Sequence, residues 1–487
     1  MKNKVLSVIV LVIAITMLFS ACGTSDTSDN ASTVSQVAEV SSESTYDQST
    51  DVIEDNSTDE SGEQLSGYTL NGVPLESYSI VFADDVYGYG REFAMMLRND
   101  IREKLGVNLN FSDDSGDPAE YEIIFGDTNR EAELKMDTLG KLDYAVCAED
   151  KKVVVNAGEY YTLELAAKEF LNICLASKEI AIPETPTVKT LEFEKPKSVI
   201  LIIGDGMGEK HIEYTLENGL DAFIGDIMIN KGYCTTNSRT GTTDSAAAAT
   251  ALSTGYKTVN GRVGKDILGK NNYKVMGELV IEKGKALMVT SNYDIDDATP
   301  AAFTAHANDR DENLEEIRAY QEELRKNAVV IESIYEDTDA GFYNTLMKYE
   351  QLEDKNGFFF MNEEGYCDSA GHNNEFGYSV EAVTRIDKTA RMAISYILNH
   401  PDTVFIMTAD HETGGITKNE ETGEWEFTTV NHTGVDVPVF AMGYGTETFN
   451  GNTVDNTDIS KFIAHIMGDS NWGDPKITPK ITFPELN

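Results

Sequence analysis

A serine at the start of an alanine-rich segment is the first feature of the sequence that suggests chemistry. Ser245 follows Asp244 and precedes four consecutive alanines. Alanine has the highest helix propensity, and Asp and Ser are preferred helix caps, so the segment predicts a helix beginning near Ser245. Free backbone N–H groups and the helix dipole favour a phosphate at such a position. The segment alone also fits an ordinary capped helix, but the residues described next make Ser245 a candidate nucleophile.

Acidic and histidine residues elsewhere in the chain form candidate metal ligand sets. Three of the seven histidines lie in polar segments with nearby carboxylates: the residues are Glu363, Asp368, His372, Asp410, His411 and His432. Mixed Asp/His sets suit zinc, whereas an oxygen-only set, such as Asp205, Thr299 and Glu363, suits magnesium. Each motif taken singly also fits a turn or a satisfied polar pair.

Apolar runs that resemble buried strands end just before several of these polar residues. The runs are 198–203, 286–290, 357–361 and 403–408, and Asp205 and Asp410 follow the first and the last. Apolar strands separated by helices predict an α/β fold with a largely parallel central sheet and helices on both faces. One such helix has Val383, Ile386, Ala390, Ile394 and Ile397 in register. In such sheets, functional residues gather at the carboxyl ends of the strands.

The amino-terminal residues predict export and lipid anchoring. Residues 1–22 combine Lys2 and Lys4 with an apolar run over 5–19, which is typical of a signal peptide. Residues 18–22, Leu-Phe-Ser-Ala-Cys, resemble a bacterial lipobox, which predicts cleavage before Cys22 and lipidation of Cys22. The protein would then be anchored on the outer side of the bacterial cell membrane; a plain secretory signal is the alternative. Residues 23–66, rich in Ser, Thr and Asp, predict a disordered tether.

Residues 67–192 alternate strand and helix patterns and predict a small α+β domain. We expect strands at 77–83 and 107–111 and a helix at 163–176. The domain resembles the small β-α-β domains found in front of bacterial glycan-active enzymes, notably over 122–130, which leaves a spacer or a glycan-binding module as its role. Two prolines in 182–186 predict a linker, and residues 195–487 form the predicted catalytic domain.

Charge and cysteine content exclude some functions. The formal net charge of −44 argues against a nucleic-acid partner, because such binding relies on basic patches. Beyond Cys22, the cysteines are Cys147, Cys174, Cys234 and Cys367, with no CxxC motif. We expect mostly free, buried thiols, with a bridge between Cys147 and Cys174 left open.

Five strings from residue 195 onward resemble the alkaline phosphatases and occur in the order of that family. They are VILIIGDGMG (199–208), TDSAAAATALSTGYKT (243–258), DATPAAFTAH (297–306), TADHETGG (408–415) and HTG (432–434). The resemblance implies hydrolysis of small phosphate monoesters through a phosphoserine intermediate on Ser245, assisted by two zinc ions and one magnesium ion.

The resemblance also implies a role for each matching residue. Asp368, His372 and His432 would hold one zinc ion. Asp410, His411 and one oxygen of Asp205 would hold the second. Asp205, Thr299 and Glu363 would hold magnesium, with Asp297 beside these ligands. Arg310 would bind phosphate through two hydrogen bonds, a geometry that suits guanidinium, and Asp244 would help to orient Arg310.

Two departures from the family and two competing functions remain. Residue 369 is Ser where relatives often have Lys, His or Trp, which affects phosphate affinity. Only twenty residues separate His411 from His432, so we expect an open entrance and leave the oligomeric state undecided. A phosphodiesterase or sulfatase of the same superfamily is one alternative, although the Cys/Ser-x-Pro-x-Arg sequence of sulfatases is missing around Ser245. A surface binding protein without catalysis is the other.

Overall fold

The computed structural model describes residues 66–335 and 338–486. The predicted signal peptide, Cys22 and all but the last residue of the predicted tether lie outside these ranges. Within them, the structure contains no helix that is both long and apolar enough to cross a membrane.

The first part of the chain is built on a six-stranded sheet in the order β4-β3-β5-β7-β6-β9, and β1, β2 and β8 form a small separate sheet. The pairs that β3 makes with β4 and β5 are parallel, as is the pair of β5 with β7, and β6 runs antiparallel to both of its neighbours. The elements are β1 (Thr69–Leu70), β2 (Val73–Pro74), β3 (Ser79–Phe82), α1 (Tyr89–Leu105), β4 (Asn110–Asp113), β5 (Glu122–Phe125), β6 (Asp143–Glu149), β7 (Lys152–Ala157), α2 (Leu163–Ala176), β8 (Glu179–Ile180) and β9 (Thr187–Thr190).

Two expectations for this part need correction. The strand expected at 107–111 lies at Asn110–Asp113, and the buried Val107 and Leu109 belong to the connection before it. The segment 182–186 does not connect two domains, because β9 follows it and pairs with β6, with Val188 opposite Ala145. The carbonyl of Pro183 also accepts a hydrogen bond of 2.8 Å from the N–H of Ala148. The prolines therefore shape a loop at the edge of the six-stranded sheet.

The second part of the chain is built on an eight-stranded sheet in the order β13-β12-β14-β10-β15-β20-β11-β21. Among these eight strands, β20 alone runs in the direction opposite to the other seven. The strands are β10 (Ser198–Gly204), β11 (Asn230–Thr235), β12 (Ala286–Ser291), β13 (Val330–Ser333), β14 (Phe358–Glu364), β15 (Thr403–Thr408), β16 (Glu412–Thr413), β17 (Ile416–Lys418), β18 (Trp425–Phe427), β19 (His432–Thr433), β20 (Val437–Met442) and β21 (Thr453–Asp455); β16 pairs with β19, and β17 with β18, outside the large sheet.

Helices cover this sheet, since all seven residues of the central strand β10 are buried. The helices are α3 (Glu209–Asn218), α4 (Ser245–Thr254), α5 (Met276–Glu282), α6 (Ala298–Thr304), α7 (Leu314–Arg325), α8 (Thr338–Glu350), α9 (Tyr366–Asn373), α10 (Phe376–Asn399) and α11 (Asn456–Ile466). The predicted α/β fold class is confirmed. The predicted apolar face of α10 is buried as expected.

One strand of the large sheet is longer than the sequence indicated. The apolar run at 357–361 predicted a strand that ended before Asn362, but β14 continues to Glu364. The backbone pairing with β10 extends that far, with Ile203 opposite Glu363 and Gly204 opposite Glu364. Glu363 is therefore held on a rigid strand at the carboxyl edge of the sheet rather than on a loop.

The two parts of the chain meet along α10. Glu164 of α2 is fully buried and accepts hydrogen bonds of 2.8 Å from the side chains of Ser395 and Asn399. Arg391 donates to the carbonyl oxygen of Tyr87 at 2.9 Å and pairs with Asp387 at 2.6 Å. Because these contacts are polar and specific, they fix the position of the first part of the chain, with its six-stranded sheet, on α10.

The four cysteines of the described residues are free and buried. The bridge left open between Cys147 and Cys174 is not formed. Cys147 packs with Ile124 and Val154 in a small cluster, whereas Cys174 belongs to the main core. The two thiols therefore lie in separate apolar clusters of the first part of the chain.

Candidate active site

Ser245 is the first residue of α4, as the sequence predicts, and only 3% of it is exposed. Asp244 caps the helix: its carboxylate accepts hydrogen bonds from the N–H groups of Ala247 at 2.9 Å and Gly261 at 2.7 Å. The Oγ atom of Ser245 lies 3.2 Å from Nε2 of His411. The nucleophile candidate is thus held at a helix N-terminus, where free N–H groups stabilise negative charge.

Arg310 makes its charged hydrogen bond to Asp297, and the charge of Asp244 also raises the pKa of Arg310. Both oxygens of Asp244 accept backbone hydrogen bonds, while a guanidinium nitrogen of Arg310 donates to Asp297. Asp297 is itself the residue before α6, so its position is set by that helix. Burial opposes the charge of Arg310, but Asp297 and Asp205 outweigh it and raise the pKa of the guanidinium above its usual range. Arg310 is a fixed cation.

Asp368, His372 and His432 come together as one potential metal site. The two Nε2 atoms lie 3.0 Å apart, and each lies within 3.4 Å of a carboxylate oxygen of Asp368. Nδ1 of His372 lies 2.6 Å from the carbonyl oxygen of Val430, and Nδ1 of His432 lies 2.9 Å from that of Thr243. A proton on each Nδ1 leaves the Nε2 lone pairs facing one another and the carboxylate, an arrangement that suits a shared cation.

Asp205 and His411 form a second potential metal group beside Ser245, with Asp368 as its third member, and Asp410 lies against His411. Nε2 of His411 lies 3.2 Å from Oδ2 of Asp410 and 3.6 Å from Oδ1 of Asp205. Oδ1 of Asp410 accepts from the N–H groups of Gly206 and His411, at 3.1 and 2.9 Å. Burial lowers the pKa of His411 well below its usual value, so this imidazole is neutral and able to act as a ligand.

Asp205, Thr299 and Glu363 supply the third, oxygen-only group. Oδ1 of Asp205, Oδ2 of Asp410 and Oγ1 of Thr299 are buried and have no hydrogen-bond partner among the described residues. Burial and the charge of Asp297 raise the pKa of Glu363 to about 8, and burial and Asp368 raise that of Asp410 to about 7. Buried carboxylates that repel one another and leave oxygens unpaired are the ligands that a divalent cation needs, so these residues fit metal binding.

The structure thus brings together every residue that the sequence assigned to the site. Ser245, Arg310 and Asp205 line one cleft of about 400 Å³, together with Asp297, Asp368 and His372. Their order along the large sheet explains this, since β10, β12, β14 and β15 are adjacent and parallel and end at the same edge. A helix-capped serine, a fixed guanidinium and three ligand sets are the components of phosphoryl transfer.

Comparison with known proteins agrees with this chemistry. The family model described as alkaline phosphatase matches residues 196–339 and 345–427. Alkaline phosphatase 3 of Bacillus subtilis (strain 168) is 25% identical over 429 residues, which cover 59% of this chain and 92% of that protein. The alkaline phosphatase of Escherichia coli (strain K12) is 39% identical over 139 residues, which cover 26% of this chain and 29% of that protein. The catalytic part of this chain belongs to the alkaline phosphatase family.

Solved alkaline phosphatases share its fold. The enzyme from the Antarctic bacterium TAB5 aligns with a TM-score of 0.50 and 24% identity over 56% of this chain and 99% of its own. The cold-active enzyme from Shewanella sp. aligns with a TM-score of 0.51 and 22% identity over 56% of this chain and 100% of its own. The family match begins at residue 196, so it does not cover the first part of the chain with its six-stranded sheet.

The segment between two of the predicted ligands, His411 and His432, is short. The twenty residues between His411 and His432 form the hairpin of β17 and β18, in which Thr417 pairs with Glu426. The His372 side chain remains 41% exposed. An open entrance was predicted from the short spacing, and the exposure of this histidine agrees with it.

Several residues of the cleft were missed by sequence reasoning. Tyr293, Asp294, Asp296 and Arg318 line it, and the first three follow β12 at the same sheet edge as the ligands. Their place directly after an apolar strand was the available signal. Thr413 was also missed: its Oγ1 donates to Asp368 at 2.5 Å, which orients that ligand.

Proposed function

We propose that this chain hydrolyses phosphate monoesters by way of a phosphoserine on Ser245. The observation that carries the proposal is the position of Ser245 Oγ, at the N-terminus of α4 and in the same cleft as the fixed guanidinium of Arg310. A serine placed beside a phosphate-binding cation and free N–H groups is suited to attack phosphorus. Membership of the alkaline phosphatase family supports this reaction class.

The chain's own residues have separate roles in the proposed reaction. Ser245 Oγ forms a bond to phosphorus while the alcohol leaves, and water then releases phosphate and restores the serine. Arg310 holds two non-bridging oxygens of the phosphoryl group, and Asp297 fixes the guanidinium plane. Asp244 maintains the helix start, which directs N–H groups at the phosphoryl group.

We propose two zinc ions and one magnesium ion as cofactors. Asp368, His372 and His432 would hold one zinc ion, and Asp205, Asp410 and His411 the other, because mixed nitrogen and oxygen ligands suit zinc. Asp205, Thr299 and Glu363 would hold magnesium, which prefers oxygen. When bound, these ions supply Lewis acidity that lowers the pKa of a hydroxyl and neutralises charge that develops during the reaction.

The decisive experiment compares the wild type with Ser245→Ala. We expect radiolabelled phosphate from a monoester to be trapped on Ser245 at acid pH, and the variant to lose turnover and labelling while it keeps its metal content and melting temperature. A label on another residue, or wild-type turnover in the variant, would contradict the proposal. A panel of 4-nitrophenyl phosphate and bis(4-nitrophenyl) phosphate separates the monoesterase from a diesterase, and inactivity of the fully metallated wild type would indicate a binding protein.

We further propose that the protein is exported and anchored by lipid on Cys22 to the outer side of the bacterial cell membrane. The signal-like residues 1–22 and the lipobox-like end of that segment support this location. Cys22→Ser should move the phosphatase from the membrane fraction to the soluble fraction and abolish labelling by radioactive palmitate. Retention of the variant in membranes would contradict lipid anchoring. Residues 67–192 would then act as a spacer or as a glycan-binding module.

A further inference from the structure

One wall of the cleft is formed by two hydroxyl groups, those of Tyr293 and Ser369. Their oxygens lie 3.0 Å apart, although the residues are separated by 76 positions in the chain. Both line the cleft that also contains Ser245 and Arg310. Ser369 directly follows Asp368, so the pair lies next to the first proposed zinc site.

The phenol of Tyr293 is held in place by its surroundings. Its backbone N–H donates to Oγ of Ser291 at 2.9 Å, which ties the residue to the end of β12. Its ring lies against Gly365, where an added Cβ would come within 3.1 Å of the ring. The ring of Tyr366 meets it edge-on, with centroids 5.3 Å apart. A phenol packed on these sides presents its oxygen in a defined direction.

The hydrogen-bond inventory of the pair leaves one proton unused. Two hydroxyl groups have two O–H donors, and their mutual contact uses one. In the described part of the chain, neither oxygen has another hydrogen-bond partner that would accept the second proton. The cleft in front of the pair is where a phosphoryl group with anionic oxygens would lie under the proposed function.

We propose that Tyr293 and Ser369 act together as a neutral donor that binds a phosphoryl oxygen of substrate and product. The proposal rests on the proposed function and adds a substrate-binding residue, Tyr293, that no motif indicated. A neutral donor contributes a hydrogen bond without the long-range attraction of a cation. The pair therefore orients the phosphoryl group and still allows the product phosphate to leave.

The test uses Tyr293→Phe, Ser369→Ala and the double variant, with Tyr366→Phe as matched control. The control removes the same atom from the neighbouring ring, which is not among the residues lining the cleft. For Tyr293→Phe we expect the KM for 4-nitrophenyl phosphate and the inhibition constant of inorganic phosphate to rise about tenfold, which is ~1.4 kcal/mol. The kcat should change less than the KM. Because the pair supplies one hydrogen bond, the double variant should lose no more than the worse single variant.

Each outcome decides for or against the pair. Unchanged phosphate inhibition in Tyr293→Phe would overturn the proposal, as would fully additive losses in the double variant. An equal loss in Tyr366→Phe, or a loss of bound metal in Tyr293→Phe, would also overturn it, because the role would then be structural. The proposed function is tested separately by Ser245→Ala, since a monoesterase that labels Ser245 remains one even where these variants behave like the wild type.

Discussion

Removal of the metal ions should make the stability of this protein fall steeply as the pH rises. In the metal-free chain, burial and Asp297 raise the pKa of Glu363 from 4.5 to about 8, and burial and Asp368 raise that of Asp410 from 3.8 to about 7. The native state therefore keeps protons that the unfolded chain has already released. A raised carboxyl pKa gives stability that is fully present below the unfolded value and is lost as the pH rises through the folded value.

The size of the effect follows from Glu363 taken alone. One pKa unit corresponds to about 1.4 kcal/mol, so between pH 6 and pH 9 the free energy of unfolding should fall by about 3 kcal/mol. For a domain of this size 1 kcal/mol shifts the melting temperature by about 2 °C, which predicts a fall of about 6 °C. Asp410 acts in the same direction, but the two carboxyl groups interact and their effects do not add.

The assay is thermal unfolding of chelator-treated and metallated protein at pH 6, 7, 8 and 9. The melting temperature of the metal-free protein should fall across this range, so the gap to the metallated protein should widen. Glu363→Gln should flatten the fall in the metal-free state, because the amide does not ionise. Glu420→Gln, at an exposed position of the hairpin, is the control and should keep the wild-type slope. A melting temperature that stays constant or rises with pH, or an undiminished slope in Glu363→Gln, would refute the reasoning.

Three further perturbations have defined outcomes. Arg310→Ala should lower kcat/KM for a monoester about 100-fold and Asp297→Asn about tenfold in steady-state kinetics, because the first removes the proposed phosphate-binding cation and the second only its orientation. Glu164→Ala should lower the free energy of unfolding by about 3 kcal/mol without changing kcat. The substitution removes the buried carboxylate that pairs with Lys168 and accepts a hydrogen bond from Ser395 of α10. Ser369→Lys should lower the inhibition constant of phosphate a few-fold in the same kinetic assay, because it adds a cation at the cleft.

The sequence indicated the candidate metal ligands because their chemistry is local. Asp410 and His411 follow an apolar strand, and Asp368 and His372 lie one helical turn apart on α9. Polar residues that interrupt an apolar pattern at a strand end are visible without any knowledge of distant contacts. The same reasoning placed the end of β14 too early. The backbones of Asn362, Glu363 and Glu364 still pair with β10, although their side chains are polar.

Partners that depend on distant parts of the chain were not predictable in this way. The contact between Tyr293 and Ser369 joins the end of β12 to α9, and it exists only because β12 and β14 are neighbours in the sheet. The pairing of Arg310 with Asp297 depends on how the loop after α6 turns back, which the sequence pattern does not reveal. Strand β9 was missed because its four residues are exposed and follow two prolines.

The seating of α2 on α10 decides where the protein can be cut for production in the laboratory. A chain that starts at residue 195 would keep Arg391 and lose the carbonyl of Tyr87 to which it donates. It would also lack Glu164, the partner of Ser395 and Asn399. These two side chains would then face solvent, next to Met392, which is only 8% exposed in the full chain. We expect such a fragment to aggregate. A hydrolase suited to crystallisation therefore keeps Tyr87 and α2 together with α10.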